Sequence, residues 1–157
     1  MLRSTIEGVR VESAGTGALV DHPVAPAMQR ILQGKGIDTA GFRARRLDRS
    51  ILDGADLVVT AEREHRAFVS RLSPEHAAKS FTLRQLARLL QVAPTEASDG
   101  SPVSRVLERA QRARGLGGPA SAEDDIEDPW GRRAGVYRRT ATQLDAGLEH
   151  LLRALSG

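Results

Sequence analysis

The chain has 157 residues, of which 40% are hydrophobic and 27% are charged, and this suits one soluble domain with a single core. It contains no cysteine, which excludes disulfides, zinc sites built on thiolates and a thiol nucleophile within these residues. The net charge is +3 and the aromatic share is 3%. Without a dense basic stripe or aromatic residues that could stack on bases, nucleic-acid binding is disfavoured.

The sequence predicts neither a membrane span nor a metal site. Met1–Thr5 lack the apolar stretch of a secretory leader, and no run reaches the roughly 18 apolar residues of a membrane span. The four histidines are scattered, and no pair of them has metal-ligand spacing together with a carboxylate. We therefore expect a cytoplasmic protein that holds no metal and no other cofactor.

The first sixty residues predict a strand, a helix, a helical turn and a second strand. Val9–Ser13 alternates apolar and polar residues, which predicts a strand. Pro26 suits the start of a helix that we place over Ala27–Gln33. A short helical turn is expected over Leu47–Leu52. The compact apolar run Ala55–Thr60 is typical of a buried parallel strand.

The remainder of the chain predicts further helices around one more strand. A helix is expected over Ala61–Leu72, and Ser80–Leu83 is a third strand with a leucine-rich helix directly behind it. Ala93–Asp125 is rich in serine, glycine and proline, which predicts a loop or insertion with a short helix at Val103–Arg114. Tyr137–Leu152 carries apolar residues at helical spacing and predicts the last helix.

The order of these elements predicts the fold class. Strands alternate with helices along the chain, which is typical of an α/β fold with a parallel sheet flanked by helices. We expect residues 1–157 to form one domain of this class.

Three groups of motifs resemble one enzyme family. Their order and spacing are similar to those of the low-molecular-weight protein tyrosine phosphatases, over nearly the whole chain. The resemblance implies a three-layer α/β fold. The first group is Val11–Gly17; the second comprises Gly36–Asp38, Arg43–Leu47, Ala55–Thr60 and Arg63–Arg66; the third is Ile126–Gly131 with Tyr137–Arg139.

The resemblance implies roles for three residues. Asp128 matches the general acid that protonates the leaving phenol, and Trp130 matches an aromatic residue that lines the substrate cleft. Ser13 matches a serine that braces the phosphate-binding loop. Considered without the resemblance, Asp128 before a proline is an ordinary turn residue, and Ser13 is an ordinary residue at the end of a strand.

The phosphate-binding loop of the family, Cys-x5-Arg-Ser, has no counterpart in the sequence. Its thiolate attacks phosphorus, and its backbone N–H groups cradle the phosphate. The loop follows a first strand in the middle of the sheet, and Met1–Arg3 resembles the end of the helix behind that loop. We therefore expect the first central strand to be absent from this chain, and Met1 to be an internal methionine of a longer reading frame. The unpaired edges of Val9–Ser13 and Leu57–Thr60 are expected to bind a partner chain or a second copy.

Two further positions depart from the family pattern. Phe42 stands where many relatives carry a histidine that braces the phosphate-binding loop. Leu19-Val20 stands near an aromatic position on the cleft wall. Both departures predict altered substrate selectivity.

The resemblance implies dephosphorylation of phosphotyrosine in proteins, which these residues would perform only if the missing loop is supplied. A non-catalytic pseudophosphatase or interaction domain is the alternative, and a basic nucleic-acid-binding protein is the third candidate. Arsenate reduction, a reaction of the same fold, also needs cysteines and is disfavoured.

Overall fold

A computed structural model describes residues 6–94 and 99–157. In these residues a short parallel sheet lies among helices, in the three-layer α/β arrangement that the resemblance implies. No helix in this part of the chain is long and apolar enough to cross a membrane. The helices are α1 (Pro26–Gly34), α2 (Arg49–Asp53), α3 (Arg63–Leu72), α4 (Leu83–Val92), α5 (Pro102–Ala113) and α6 (Ala134–Ser156); the strands are β1 (Val58–Thr60) and β2 (Ser80–Thr82); the 3-10 helices are Pro74–Lys79 and Ala122–Asp124.

Local sequence signals determine where several helices begin. The Asp48 carboxylate accepts a hydrogen bond from the Ile51 N–H at 3.0 Å at the start of α2. The Thr82 hydroxyl accepts one from the Gln85 N–H at 3.2 Å at the start of α4. Pro26 occupies the first position of α1. The first backbone N–H groups of a helix have no partner within the helix. The Asp48 and Thr82 side chains accept from such groups, and Pro26 has no N–H, so these helix starts follow from the sequence.

The described residues contain one two-stranded parallel sheet and, apart from it, one isolated parallel bridge. β1 and β2 pair in parallel with Val59 opposite Phe81, and α3 connects them as the crossover helix that parallel strands require. Gly15 and Arg46 form an isolated parallel bridge elsewhere. Within residues 6–94 and 99–157 no strand joins these two contacts into one ladder.

The hydrophobic core lies in the second half of the chain. Its residues come mainly from β2, α4, α5 and α6, and Phe81, Leu86, Leu89 and Val106 are fully buried. By contrast, Thr39 is the one buried residue described between positions 6 and 50. The first part of the chain therefore covers the core loosely.

Two predicted strands differ from the structure. Val9–Ser13 forms no strand, because no neighbouring strand in the described residues completes a ladder with it. The strand predicted at Ala55–Thr60 is present but shorter, as β1. Its central residue, Val59, is 39% exposed, so the prediction of a buried strand is wrong. Among the residues that the structure describes, β1 has a neighbouring strand on one edge only.

The predicted helices form with shifted ends. The helix expected over Ala61–Leu72 begins at Arg63, and the last helix begins before Tyr137, at Ala134. The predicted short helix over Val103–Arg114 is confirmed as α5.

The segment 93–125 is more ordered than its composition predicts. Val106 and Ala110 of α5 have no exposed surface and belong to the core. Their apolar spacing outweighs the serine- and glycine-rich flanks, so the segment is not a loop throughout. Residues 95–98 of this segment, and the helix end expected at Met1–Arg3, lie outside the described residues.

Candidate active site

Asp128, Pro129 and Trp130 form a tight turn shortly before α6. The Asp128 Oδ1 atom accepts a hydrogen bond from the Trp130 N–H at 2.9 Å. The Arg132 N–H donates to the Pro129 carbonyl at 2.9 Å. Gly131 has a φ of 71°, a left-handed conformation that glycine adopts without strain. The turn leaves Asp128 at the surface beside Trp130, which is 61% exposed.

The chain before this turn is fastened to the carboxyl end of β1. The Ile126 N–H donates to the Ala61 carbonyl at 3.0 Å, and Ile126 is buried. The Asp125 carboxylate accepts the backbone N–H of Arg63 at 2.7 Å and the Arg63 guanidinium at 3.0 and 3.1 Å. These hydrogen bonds hold the pKa of Asp125 below its usual value. The turn is therefore held at the end of a parallel strand, where α/β proteins commonly place their sites.

A buried carboxylate strengthens the same attachment. Asp124 is 3% exposed, and its Oδ2 atom accepts the Arg88 guanidinium at 2.9 Å and the Ser121 N–H at 2.9 Å. A buried charge is costly unless it is paired in this way. Arg88 thus fastens the chain before the turn to α4.

The chain after Ile126 is held by α6. The Thr140 hydroxyl donates to the Glu127 carbonyl at 3.0 Å, and Tyr137 is buried at the start of the helix. Contacts to α3, α4 and α6 therefore position the Asp128 carboxylate from three directions.

Two grooves share the Asp128–Trp130 turn as a wall. The first has a volume of about 440 Å³, and the second has about 260 Å³. Asp128 is the single carboxylate in both linings, which are otherwise mostly apolar. The first is lined by Gly17, Leu19, His22, Pro23, Val24, Ala25, Pro26, Ala44, Asp128 and Trp130; the second shares Pro23, Val24, Ala25 and the turn, and adds Met28, Phe42 and Tyr137.

The segment 19–22 also borders the first groove, and backbone hydrogen bonds to Ala44 hold this segment in place. The Asp21 N–H donates to the Ala44 carbonyl at 2.8 Å, and the Ala44 N–H donates to the His22 carbonyl at 2.9 Å. The His22 N–H donates to the Leu19 carbonyl at 3.1 Å. Asp21 has a φ of 65°, which aspartate tolerates better than most residues.

The structure brings two of the three predicted site residues together. Asp128 and Trp130 line both grooves. Ser13 is exposed and lies in neither lining; its backbone carbonyl accepts the Arg45 Nε–H at 2.6 Å. The bracing role of Ser13 stays a prediction.

Leu19 and Phe42, the two departures from the family pattern, each line one groove, whereas Val20 lines neither. The sequence analysis did not single out His22, which lines the first groove. No local sequence pattern predicts a site role for this histidine, because the tertiary contact of segment 19–22 with Ala44 brings it to the groove.

One cluster with metal-ligating side chains lies outside the two grooves. Asp53, Glu75 and His76 each offer a ligand atom within 4.8 Å of the others. Glu75 is paired with Arg49, and Nδ1 of the buried His76 lies 2.8 Å from the Ser73 hydroxyl. Glu75 thus already has a cationic partner, and Oδ1 of Asp53 lies 3.8 Å from Nε2 of His76.

Comparison with known proteins gives the family. Residues 1–99 match the family described as low molecular weight phosphotyrosine protein phosphatase. Over 85 residues the chain is 32% identical to the low molecular weight protein-tyrosine-phosphatase Etp of Escherichia coli K12, covering 54% of this chain and 57% of that protein. Over 150 residues it is 25% identical to a protein-arginine-phosphatase of Geobacillus stearothermophilus, covering 96% of this chain and 79% of that protein.

Solved structures show the same relationship. The YwlE arginine phosphatase from Geobacillus stearothermophilus superimposes with a TM-score of 0.67 at 25% identity, covering 94% of this chain and 74% of that one. A low molecular weight protein tyrosine phosphatase from T. tengcongensis gives a TM-score of 0.62 at 26% identity, covering 90% and 75%. The chain belongs to the low molecular weight phosphotyrosine protein phosphatase family. It spans little more than half the length of Etp.

Proposed function

We propose that these residues form the acid-bearing part of a phosphatase that removes phosphate from phosphotyrosine in proteins. The observation that carries the proposal is the Asp128–Trp130 turn, which puts a carboxylate and an indole in the wall of a mostly apolar groove. Such a groove suits an aromatic ring that ends in a charged group. Family membership supports the same reaction.

In the proposed reaction a thiolate attacks phosphorus and the bond from phosphorus to the phenolic oxygen breaks. The carboxylic acid of Asp128 gives its proton to that leaving oxygen. Water then attacks the phosphocysteine and transfers a proton to the Asp128 carboxylate, which restores both groups. The 157 residues contain no cysteine, so the thiolate must come from a phosphate-binding loop outside them. We expect these residues to be inactive alone.

Phosphoarginine is a second candidate substrate. The relative that aligns over 96% of the chain is named a protein-arginine-phosphatase. In phosphoarginine the leaving group is a guanidine nitrogen, which must be protonated when its bond to phosphorus breaks. Asp128 would therefore keep the same role as general acid.

The test compares the 157-residue chain with a fusion that places the amino-terminal segment of Etp, through its phosphate-binding loop and the helix behind that loop, ahead of Ile6. We expect no turnover of a phosphotyrosine peptide by the chain alone and measurable turnover by the fusion. Replacing Asp128→Asn in the fusion should lower kcat by about 10²–10⁴. The same fusion is assayed on a phosphoarginine peptide. Intact Etp is assayed on both peptides, so that a substrate preference that comes from its phosphate-binding loop can be recognised.

Two results contradict the proposal. Turnover by the 157-residue chain would show a nucleophile other than cysteine. An active fusion whose kcat is unchanged by Asp128→Asn would remove the acid role. A folded fusion without turnover would instead favour a non-catalytic interaction domain.

A further inference from the structure

Three metal-ligating side chains meet between α2 and the 3-10 helix Pro74–Lys79. Asp53 is the last residue of α2, and Glu75 and His76 belong to the 3-10 helix. Each residue offers one ligand atom, and the three atoms lie within 4.8 Å of one another. None of the three residues lines either groove. The cluster is therefore separate from the Asp128–Trp130 turn.

His76 is the buried member of this cluster, and one of its ring nitrogens has no partner. The residue is 4% exposed, and its Nδ1 atom lies 2.8 Å from the Ser73 hydroxyl. In residues 6–94 and 99–157 no hydrogen bond reaches its Nε2 atom, which faces Asp53 Oδ1 at 3.8 Å. Because the polar atoms of a buried side chain ordinarily have partners, this nitrogen points to a ligand between His76 and Asp53.

The neighbours of His76 determine which ring nitrogen carries a lone pair. The backbone N–H of Glu75, the Ser73 hydroxyl and Arg49 lower the pKa of Glu75 to about 2. A carboxylate without a proton can only accept, so we assign the hydroxyl proton of Ser73 to Glu75 and the ring proton of His76 to Nδ1. Neutral His76 then presents a lone pair at Nε2. Metal-ligating histidines are commonly held in this way, by a hydrogen bond from the other ring nitrogen.

We propose that Asp53, Glu75 and His76 bind a divalent transition-metal ion, with Zn²⁺ as the ion that fits best. One imidazole nitrogen and two carboxylate oxygens are ligands that zinc accepts, whereas Mg²⁺ and Ca²⁺ prefer oxygen alone. Nε2 of His76 and Oδ1 of Asp53 both carry lone pairs, so a cation between them relieves their repulsion.

The spacing of the ligand atoms suits such an ion. Zinc lies about 2.0–2.2 Å from nitrogen and oxygen ligands, so two ligand atoms across it lie at most about 4.4 Å apart. The distance of 3.8 Å between Nε2 of His76 and Oδ1 of Asp53 is within this limit. The side chain of Glu75 is 49% exposed, which leaves it room to approach the ion. Water would complete the coordination.

Arg49 competes with the ion for Glu75. Its guanidinium is paired with Oε1 of Glu75, and it places a positive charge beside the site. A bound ion must displace this pair or use the other oxygen of Glu75. Removal of Arg49 should therefore strengthen metal binding, although Arg49 is not itself a ligand.

The test titrates ZnCl₂ into the tag-free 157-residue protein in a calorimeter. We expect one ion to bind per chain and to raise Tm, because a ligand of the folded state stabilises it. Asp53→Asn changes a side chain that is 58% exposed. It should weaken binding at least about tenfold, since even the loss of a residue that orients a ligand costs that much. Arg49→Ala should tighten binding about two- to fivefold, the value of one exposed ion pair.

His65→Gln is the matched control, because His65 also lies near a carboxylate, with Nε2 at 4.0 Å from Glu62, but outside the cluster. Its zinc affinity should equal that of the parent protein. Replacement of the buried His76 would also disturb the core, so its part is measured by NMR. Zinc should shift the ¹⁵N resonance of His76 Nε2 and leave those of His22 and His150 unchanged.

Three results would overturn the proposal: no saturable zinc binding, an affinity that Asp53→Asn leaves unchanged, or a zinc-dependent shift at other histidines in place of His76. Asp128 takes no part in this site, so Asp128→Asn should bind zinc as the parent protein does. The metal site can thus fail or succeed independently of the phosphatase reaction.

Discussion

The Asp128 carboxylate accepts the backbone N–H of Trp130 through its Oδ1 atom, at 2.9 Å. In the described part of the chain the other oxygen, Oδ2, accepts no hydrogen bond. One oxygen therefore shapes the turn, and the other is the one to which we assign the proposed proton transfer. The structural role and the proposed chemical role of this side chain lie on different atoms.

Two substitutions at Asp128 separate those roles. Asp128→Asn keeps an oxygen acceptor for the Trp130 N–H and removes the acid, whereas Asp128→Ala removes both. Trp130 is the only tryptophan of the sequence, so its fluorescence reports the turn directly. We expect Asp128→Asn to keep the emission maximum and the unfolding midpoint of the parent protein. Asp128→Ala should shift the emission and lower the free energy of unfolding by about 0.5–1.5 kcal/mol. If Asn and Ala shift the emission equally, the hydrogen bond does not hold the turn.

Arg88 is expected to matter for stability far more than an ordinary surface arginine. Arg88→Ala leaves the carboxylate of Asp124, which is 3% exposed, without its cation. Breaking a buried pair costs about 3–5 kcal/mol; because Arg88 itself reaches solvent, we expect about 2–3 kcal/mol, measured by urea unfolding. Arg153→Ala, which breaks an exposed pair with Glu149, should cost about 0.5 kcal/mol or less. Similar losses in both variants would show that Asp124 gains little from its partner.

The sequence predicted most helices because their signals are local. Two helices begin at side-chain caps, Asp48 and Thr82, which bond to residues three positions along the chain. Another helix begins at Pro26, which has no backbone N–H to satisfy. The turn Asp128–Trp130 was also predictable, since its motif is contiguous. The strand expected at Val9–Ser13 was not formed, because a strand depends on a partner that its own alternation cannot supply.

The groove was only partly predictable for a related reason. His22 lines the first groove because segment 19–22 is hydrogen-bonded to Ala44. Nothing in the sequence near His22 indicates that contact. The attachment of Asp125 to Arg63 likewise joins residues far apart in the chain. Such contacts follow from the tertiary fold and not from a motif.

The ion pair between Asp125 and Arg63 predicts a pH-dependent contribution to stability. Hydrogen bonds from Arg63 lower the pKa of Asp125 below its ordinary 3.8. A lowered pKa in the folded state contributes stability above pH 3.8, and this contribution is lost as the pH falls through the folded value. Asp125→Asn should therefore lower Tm at pH 7 by about 2–4 °C, and the difference from the parent protein should shrink as the pH falls below 3.8.

Asp145→Asn is the control for that experiment, because Asp145 forms an exposed pair with Lys35. Its effect on Tm should be small at both pH values. A Tm difference for Asp125→Asn that stays constant from pH 7 to below pH 3 would contradict the assigned cause.

Two glycines of α6 should respond to alanine in opposite directions. At Gly147 a Cβ would lie 2.6 Å from Leu83 Cγ and 2.9 Å from Leu83 Cδ2, so α4 and α6 would have to separate. Overpacking of this kind costs about 1–3 kcal/mol, whereas the higher helix propensity of alanine returns at most about 1 kcal/mol. Gly147→Ala should therefore destabilise the protein. At Gly135, the second residue of α6, no atom lies within 4 Å of the added Cβ, so Gly135→Ala should stabilise the protein by about 0.5 kcal/mol or less, below the gain expected in a helix interior. Urea unfolding of both variants measures the difference; a stabilised Gly147→Ala would mean that Leu83 can turn away and that the two helices are not in tight contact there.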